Sequence, residues 1–252
     1  DNTQVGLGVS WERVRFPGYP TGVEVVQDQN FDAPLPAPPE AIDVITPQVN
    51  ARSATRLNFI LGQRKIRYRR RLGLDPVRGI QDTPVGVDLS FLIGKSMGSF
   101  DPGDADAAND LFTSLRLLSG YADRRWTLWS SLRLEARREF ADPTGEGEDG
   151  PAESGGWRDM LTEWEAYAYF QPSGGPGHTF VGKFHFQAGW DMSTPYQLTL
   201  GGRFGVRGYS ENGFPGGRRL VFGLEDRIAL NWPSSSLFDV GVTLLADAGQ
   251  IW

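Results

Sequence analysis

Val85-Gly-Val-Asp-Leu-Ser-Phe-Leu-Ile-Gly-Lys-Ser-Met97 alternates at a period of two. Its odd positions Val85, Val87, Leu89, Phe91, Ile93 and Met97 are apolar, interrupted only by Lys95. Its even positions are Gly86, Asp88, Ser90, Gly94 and Ser96, with Leu92 the one exception. Successive side chains of a strand point to opposite faces, so this pattern describes a strand with one oily face and one wet face. The segment 125–138 repeats it: Trp126, Leu128, Leu132, Leu134 and Ala136 oppose Arg125, Thr127, Ser131, Arg133, Glu135 and Arg137. So does 178–191, where Phe180, Phe184, Phe186, Ala188 and Trp190 oppose Lys183, His185, Gln187 and Asp191. Weaker alternation runs through 5–16, 54–69, 110–122, 157–171, 219–232 and 237–252. With 85–98 this makes nine candidate strands.

Most of these segments exceed twelve residues, whereas a soluble strand typically has about five or six. Strands tilted across a bilayer need the greater length and carry aromatic residues at their ends as interface anchors. Trp126, Trp157, Trp190, Trp232 and Trp252 lie near candidate strand ends; Trp129 and Trp164 do not. The composition agrees. Of 252 residues 39% are hydrophobic, 12% are aromatic and 32 are glycine, which suits a sheet with a polar interior better than an oily core. A soluble β-sandwich is the competing reading, and strand length and loop pattern weigh against it.

Several function classes are excluded at this level. A net charge of −6 argues against nucleic-acid binding. The absence of cysteine removes disulfides, thiol catalysis and Cys-ligated zinc, and two histidines, His178 and His185, leave little for a His-based metal site. No run approaches 18 apolar residues, so neither a membrane-spanning helix nor a secretory leader is read in these residues.

The connections alternate in length, as in outer-membrane barrels with long external loops and short periplasmic turns. Segments 17–53, 99–109, 140–156 and 192–217 are long, and two of them carry acidic Pro/Gly-rich runs at 101–106 and 142–149. Ala122-Asp-Arg-Arg125 and Trp232-Pro-Ser-Ser-Ser236 are short; the link at 71–84 is ambiguous. Residues 17–53, with the Pro-rich Ala33–Pro39, read as a surface loop. Nine strands cannot close an antiparallel barrel of even count, so strands missing at both ends are expected.

The loop 192–217 holds Leu200-Gly-Gly-Arg-Phe-Gly-Val-Arg-Gly-Tyr-Ser-Glu-Asn-Gly213. Phe204, Val206 and Tyr209 are poorly suited to free water, and glycines at 201, 202, 205 and 208 permit close packing and positive φ. This loop is expected to fold against something. Val206-Arg207-Gly208-Tyr209 resembles the Val-Arg-Gly-Phe/Tyr signature of the BamA/TamA/two-partner-secretion superfamily of outer-membrane insertases and translocators, the bacterial surface antigen family. Leu224-Glu225 is similar to the acidic position of the family's following strand. Leu245-Ala-Asp-Ala-Gly-Gln-Ile-Trp252 is similar to its Phe-x-Asp-x-Gly-x-Val-Trp segment one strand later. The resemblance covers residues 195–252; upstream only the layout of strands and loops agrees.

The resemblance implies an all-β, antiparallel transmembrane β-barrel of 16 strands, of which this chain supplies about the fifth to the thirteenth. It implies an outer-membrane location in a Gram-negative-type envelope and a role in inserting outer-membrane proteins or translocating polypeptides. Function in the family depends on strained pairing between first and last strands. The implied partners are outer-membrane lipid and lipopolysaccharide, a client polypeptide, and periplasmic or lipoprotein accessory subunits, with no enzymatic activity and no cofactor. The loop is expected to fold into the lumen and bring its arginine to acidic wall residues. Alternation independently puts Glu225 (in phase with Gly223 and Arg227) and Asp247 (in phase with Asp239, Gly241, Thr243 and Gly249) on the polar face. Arg207 is therefore expected to pin the loop to Asp247 and Glu225, since a guanidinium binds a carboxylate through two parallel bonds. The alternatives are a passive diffusion porin or receptor barrel and, more weakly, a barrel-embedded hydrolase.

Other motifs point less far. Asp226 falls in phase with Leu220, Phe222, Leu224, Ile228 and Leu230 and should face lipid, so either a bulge shifts the phase or it lies near an interface. Ile93-Gly-Lys-Ser96 lacks the first glycine of a phosphate loop and lies in a strand. Asp104-Ala-Asp106 lacks the later ligands of a calcium loop. Glu163 and Glu165 share a face, about 7 Å apart, and with Tyr167 and Tyr169 they read as lumen lining. The basic run Arg64–Arg71 is expected at the periplasmic end, meeting lipid head groups, a periplasmic domain or the lumen.

Overall fold

The computed structural model describes residues 2–16, 24–26, 34–46, 51–75, 79–98, 107–140, 155–175, 177–202, 205–211, 213–230 and 240–252. In chain order the strands are β1 (Asn2–Val14), β2 (Glu24–Val26), β3 (Pro34–Pro36), β4 (Arg52–Leu72), β5 (Ile80–Ser96), β6 (Asp110–Ala122), β7 (Trp126–Glu139), β8 (Trp157–Phe170), β9 (His178–Trp190), β10 (Leu198–Leu200), β11 (Phe214–Gly216), β12 (Arg218–Leu230) and β13 (Val240–Ile251). One short helix, α1 (Pro39–Ile45), lies between β3 and β4. The fold is all-β. Its nine long strands form one antiparallel sheet in the order β1-β4-β5-β6-β7-β8-β9-β12-β13. These are the nine alternating segments, with ends displaced by a few residues. Among the described residues β1 and β13 do not pair with each other, so the sheet is open rather than a closed barrel.

Two expectations about connections change. The segment read as a surface loop at 17–53 contains the paired β2 and β3 and the helix α1, whose first turn holds Pro39, where a missing N–H costs nothing. The ambiguous link at 71–84 shrinks to residues 73–79, because β4 and β5 stay paired as far as Leu72 and Ile80. The loop 192–217 is likewise gathered at its base by the β10–β11 pair.

The sheet curls strongly. Glu12 of β1 and Arg137 of β7 are separated by four strand spacings of about 4.8 Å, or about 19 Å along a flat sheet. Their side chains nevertheless meet at 2.9 Å. Arg52 of β4 reaches Asp159 of β8 at 2.8 Å in the same way. At the opposite end the β4–β5 turn folds across the sheet: Gly73 O accepts bonds from Gln171 Nε2 and Thr179 Oγ1, and Leu74 packs on Tyr169 and Val181. The polar face is thus concave, and the apolar face is convex.

Burial runs opposite to that of a soluble domain. Arg56, Asp110, Glu225, Gln171 and Thr179 are buried, while Leu7, Leu224, Leu244, Phe222 and Trp164 are exposed on the convex side. Clusters of buried apolar residues are small, three residues each. Convex aromatic side chains touch across strands, Trp164 with Phe184 at 4.7 Å and Phe184 with Phe222 at 5.2 Å between centroids. Among the described residues no helix is long and apolar enough to cross a membrane, which says nothing about crossing by strands.

The β6–β7 turn is held by Asp123, whose Oδ1 accepts the backbone N–H groups of Trp126 at 2.7 Å and Arg125 at 2.8 Å. Those two bonds, Trp126 first, hold its carboxyl below the ordinary carboxylate range. A folded value below the unfolded one makes the tether complete above about pH 4 and lost as pH falls through the folded value. Exchange of the Trp126 amide, corrected for the intrinsic rate, should be slow at neutral pH and accelerate in acid. In Asp123→Ala it should be fast throughout; exchange that ignores the substitution would contradict this account of the turn.

Candidate functional site

Alternation places Lys183, Gly223 and Asp247 in one cross-strand row on the concave face, since Gly223 pairs with both of the others. Glu225 and then Arg227 follow on β12. Gly223 carries no side chain, and a Cβ there would stand 3.0 Å from Asp247 Oδ1. The guanidinium of Arg207 enters beside this gap. Its Nε donates to Asp247 Oδ2 and its Nη2 to Asp247 Oδ1, both at 2.6 Å, while Nη1 donates to Glu225 Oε1 at 2.6 Å. The Arg207 backbone N–H adds a bond to Asp247 Oδ2 at 3.2 Å. The structure thus brings together the three charged residues expected to meet.

Two further cations belong to the group. Lys183 Nζ lies 2.5 Å from Glu225 Oε1, and Arg227 Nε lies 2.7 Å from Glu225 Oε2. Arg227 Nη1 also reaches Asp75 Oδ1 at 2.9 Å and Leu74 O at 2.6 Å, and Tyr169 Oη donates to Asp75 at 3.1 Å. Three cations (Arg207, Lys183, Arg227) face three carboxylates (Asp247, Glu225, Asp75). The side chains of Glu225 and Asp247 are 2% and 5% exposed; carboxylates so far removed from water require such pairing. Asp247 above all, then Glu225, pushes the pKa of Arg207 upward from its already high ordinary value, so the guanidinium stays charged. Lys183 and Arg227 could have been found from phase alone, because they share the polar face of adjacent strands. Asp75 could not, as it arrives through a turn from six strands away.

The rest of the motif is less uniform. Val206 is buried with Leu200 and Val221, against Phe214 and Ile251. Gly249 makes this approach feasible: a Cβ there would lie 2.7 Å from Val206 Cγ2 and 2.9 Å from Leu200 Cδ1. Gly208 has φ +96°, a conformation other residues rarely adopt. Tyr209 is mostly exposed, and its ring meets that of Phe214 edge-on, ring centroids 5.8 Å apart. Its aromatic ring is therefore not part of the anchor. Phe204, Asp239 and Trp232 lie outside the described residues, as do the acidic runs at 101–106 and 142–149.

A second charged group, not anticipated from the sequence, sits at the other end of the concave face. Glu12 is bonded by Arg52, Arg56 and Arg137; Arg56 also forms a two-bond pair with Asp110 at 3.0 and 2.6 Å. Asp159 accepts from Arg52 and from both the backbone N–H (2.6 Å) and the hydroxyl (2.8 Å) of Ser193. A register shift between Glu135 and Arg137 gives β8 one extra residue there, and Asp159 adopts φ +48°. This bulge turns its carboxylate inward, a common use of bulges near working sites. The loop 192–217 is therefore fastened at its start by Ser193 on Asp159 and further along by Arg207. Between these, Arg219 donates to Thr199 O at 2.6 Å and also bonds Gln187.

The remaining candidates are absorbed by structure. Glu163 pairs loosely with Arg133 at 3.4 Å, Glu165 lies 3.8 Å from His185 Nδ1, and His185 Nε2 is 2.9 Å from Tyr167 Oη. Lys95 bonds Asn109, and Ser96 bonds the Asp110 backbone within the β5–β6 pairing. From the basic run, Arg69 and Arg71 donate to the carbonyls of Ala122 and Asp123 at 2.7 Å, bracing the β6–β7 turn. Among the described residues no three His, Asp or Glu side chains group to hold a metal ion. No family model, curated protein or solved structure matches the chain.

Two outcomes follow from this geometry. Gly249→Val should lift the loop, because an overpacked contact typically costs about 1–3 kcal/mol; tryptic cleavage after Arg207 should accelerate about tenfold, and an unchanged rate would contradict the docking. Arg56→Ala should destabilise the folded protein by about 3 kcal/mol in urea titration, leaving the buried Asp110 short of its partner. Arg64→Ala, whose side chain is 58% exposed, should cost under about 1 kcal/mol.

Proposed function

We propose that this chain forms part of an outer-membrane β-barrel that assists insertion of outer-membrane proteins or translocation of polypeptides. The observation that carries the reading is the seating of Val206-Arg207-Gly208 on the polar face through Asp247 and Glu225. The convex apolar face supports a lipid environment, since apolar side chains outside and polar side chains inside are the arrangement of a transmembrane barrel. Sixteen strands, an outer-membrane location, lipopolysaccharide contact and accessory subunits all belong to this proposal and rest on the motif resemblance.

The chemistry required is positional. No bond is made or broken, so neither nucleophile nor cofactor enters the reading. The loop lies over the polar face and occupies space through which a porin would pass solutes. Its release would strand Asp247, which has Arg207 as its charged partner, and would weaken the pairing of Glu225. Among the described residues β1 and β13 each pair on one side only. Edge N–H and C=O groups in lipid demand a partner strand, and in the sixteen-strand reading the remaining strands of the barrel supply it on both sides.

A double-mutant cycle on Arg207→Ala and Asp247→Ala in the intact protein, read by heat-modifiable gel mobility and urea titration in outer-membrane vesicles, tests the seating. A coupling of about 3 kcal/mol is expected, and additive, negligible effects would return the motif to an ordinary surface loop. Conductance of the purified barrel separates the two functions. Small, unstable currents that grow in Arg207→Ala are expected; large steady currents indifferent to the substitution would favour the porin.

A further inference from the structure

Asp226 is a carboxylate on the wrong face. The pairing of β12 with β9 and with β13 is unbroken across it, so no bulge turns it inward and it shares the convex face with Phe222 and Leu224. Its level explains how it is tolerated. Trp126, Phe170, Phe180 and Asp226 are consecutive partners in one cross-strand row. Trp126 opens β7, Phe170 closes β8 and Phe180 is third in β9, so the row follows the rim at β7–β8 and lies four residues inside the end of β12 at Asp226. The rings touch along it, Trp126 to Phe170 at 4.6 Å and Phe170 to Phe180 at 6.3 Å between centroids. Beyond Asp226, His178 at the first position of β9 places Nδ1 3.1 Å from the carboxylate and remains half exposed.

One row further from the rim the convex face dips. Ala168 and Gly182 are paired, and Gly182 is paired with Leu224. Two apolar hollows, about 600 and 780 Å³, meet at these three residues. Asp226 lies in the wall of the first, and the Trp164–Phe184–Phe222 ring group closes the second. From Asp226 to Phe222 is four residues, or about 13 Å at about 3.3 Å per residue. That length approaches half of a hydrocarbon core about 30 Å thick, the depth of one leaflet.

We propose that this rim and hollow bind a phospholipid whose head group ends in a primary ammonium. The inference rests on the membrane reading above. A carboxylate facing lipid is costly unless compensated, and a cation placed beside it among aromatic ring faces compensates it twice, by charge and by the ring quadrupoles. The primary ammonium donates N–H bonds to Asp226, which retains acceptor capacity beyond the His178 contact. One acyl chain lies across Gly182 toward the Trp164 ring group. A quaternary ammonium has no N–H to donate, and an anionic head group meets a like charge, so both bind less well.

The test is lipid retention by the intact protein in nanodiscs of phosphatidylethanolamine, phosphatidylcholine and phosphatidylglycerol with matched chains, read by native mass spectrometry after release into detergent. Phosphatidylethanolamine should be retained about fivefold over each of the others, the scale of one partly exposed ion pair. Asp226→Asn should abolish that preference. Gly182→Leu should lower retention of all three by filling the hollow; a Cβ at Gly182 meets only ordinary contacts at 3.9 Å, so the fold tolerates it. Heat-modifiable mobility confirms folding of each variant. Equal retention of the three lipids, or a preference that survives Asp226→Asn, overturns the site while leaving the membrane reading intact. Failure of the wild-type protein to enter nanodiscs at all overturns both.

Discussion

The pair of parallel hydrogen bonds between Arg207 and Asp247 is the contact on which the arrangement of the concave face depends. Asp247 is almost inaccessible to water, and a carboxylate there survives only because a guanidinium returns the hydration it has lost. The same guanidinium spends its third arm on Glu225, which Lys183 and Arg227 already flank. Fork geometry fixes direction as well as distance, so a loop of many residues is held at one place and in one orientation. The apolar contact of Val206 over Gly249 then needs only to fit.

The loop and the wall are coupled through two charge groups rather than one. At its start Ser193 hangs on Asp159, and Asp159 is tied through Arg52 to Glu12 on the first strand. Along its length Arg207 ties it to β12 and β13. Arg227 carries the second group onward to Asp75 and hence to the β4–β5 turn. Both groups span the concavity, so the curl of the sheet and the position of the loop are one mechanical problem. In a buried polar network each member lends support to its neighbours, which makes single deletions more disruptive than the worth of any one bond. Displacing the loop from this face therefore disturbs two networks.

The convex side obeys the opposite rule. Among the described residues its apolar side chains find no partner sheet, and the clusters buried elsewhere hold three residues each. Trp126, Phe170 and Phe180 form one row of rings on that side, which continues to Asp226 and its partner His178.

Nine strands were legible from residue order alone, with the phase of the strongly alternating ones, because alternation is a local property that neighbours in the chain report. Phase also put Glu225 and Asp247 on the polar face, and with the motif it singled out Arg207 as their partner. The β10–β11 pair, α1 and the exposed position of Tyr209 were not legible, since short segments carry too little periodicity and an aromatic ring in a motif does not say whether it is covered. Which charges meet across the concavity was settled by the folded sheet alone. Glu12 with Arg137, Arg52 with Asp159, and Arg227 with Asp75 lie far apart in the chain and several strands apart in the sheet, and their contact depends on curl, which no local pattern encodes. The inward turn of Asp159 depends on one extra residue in β8 relative to β7, a property of a pair of strands and of neither alone.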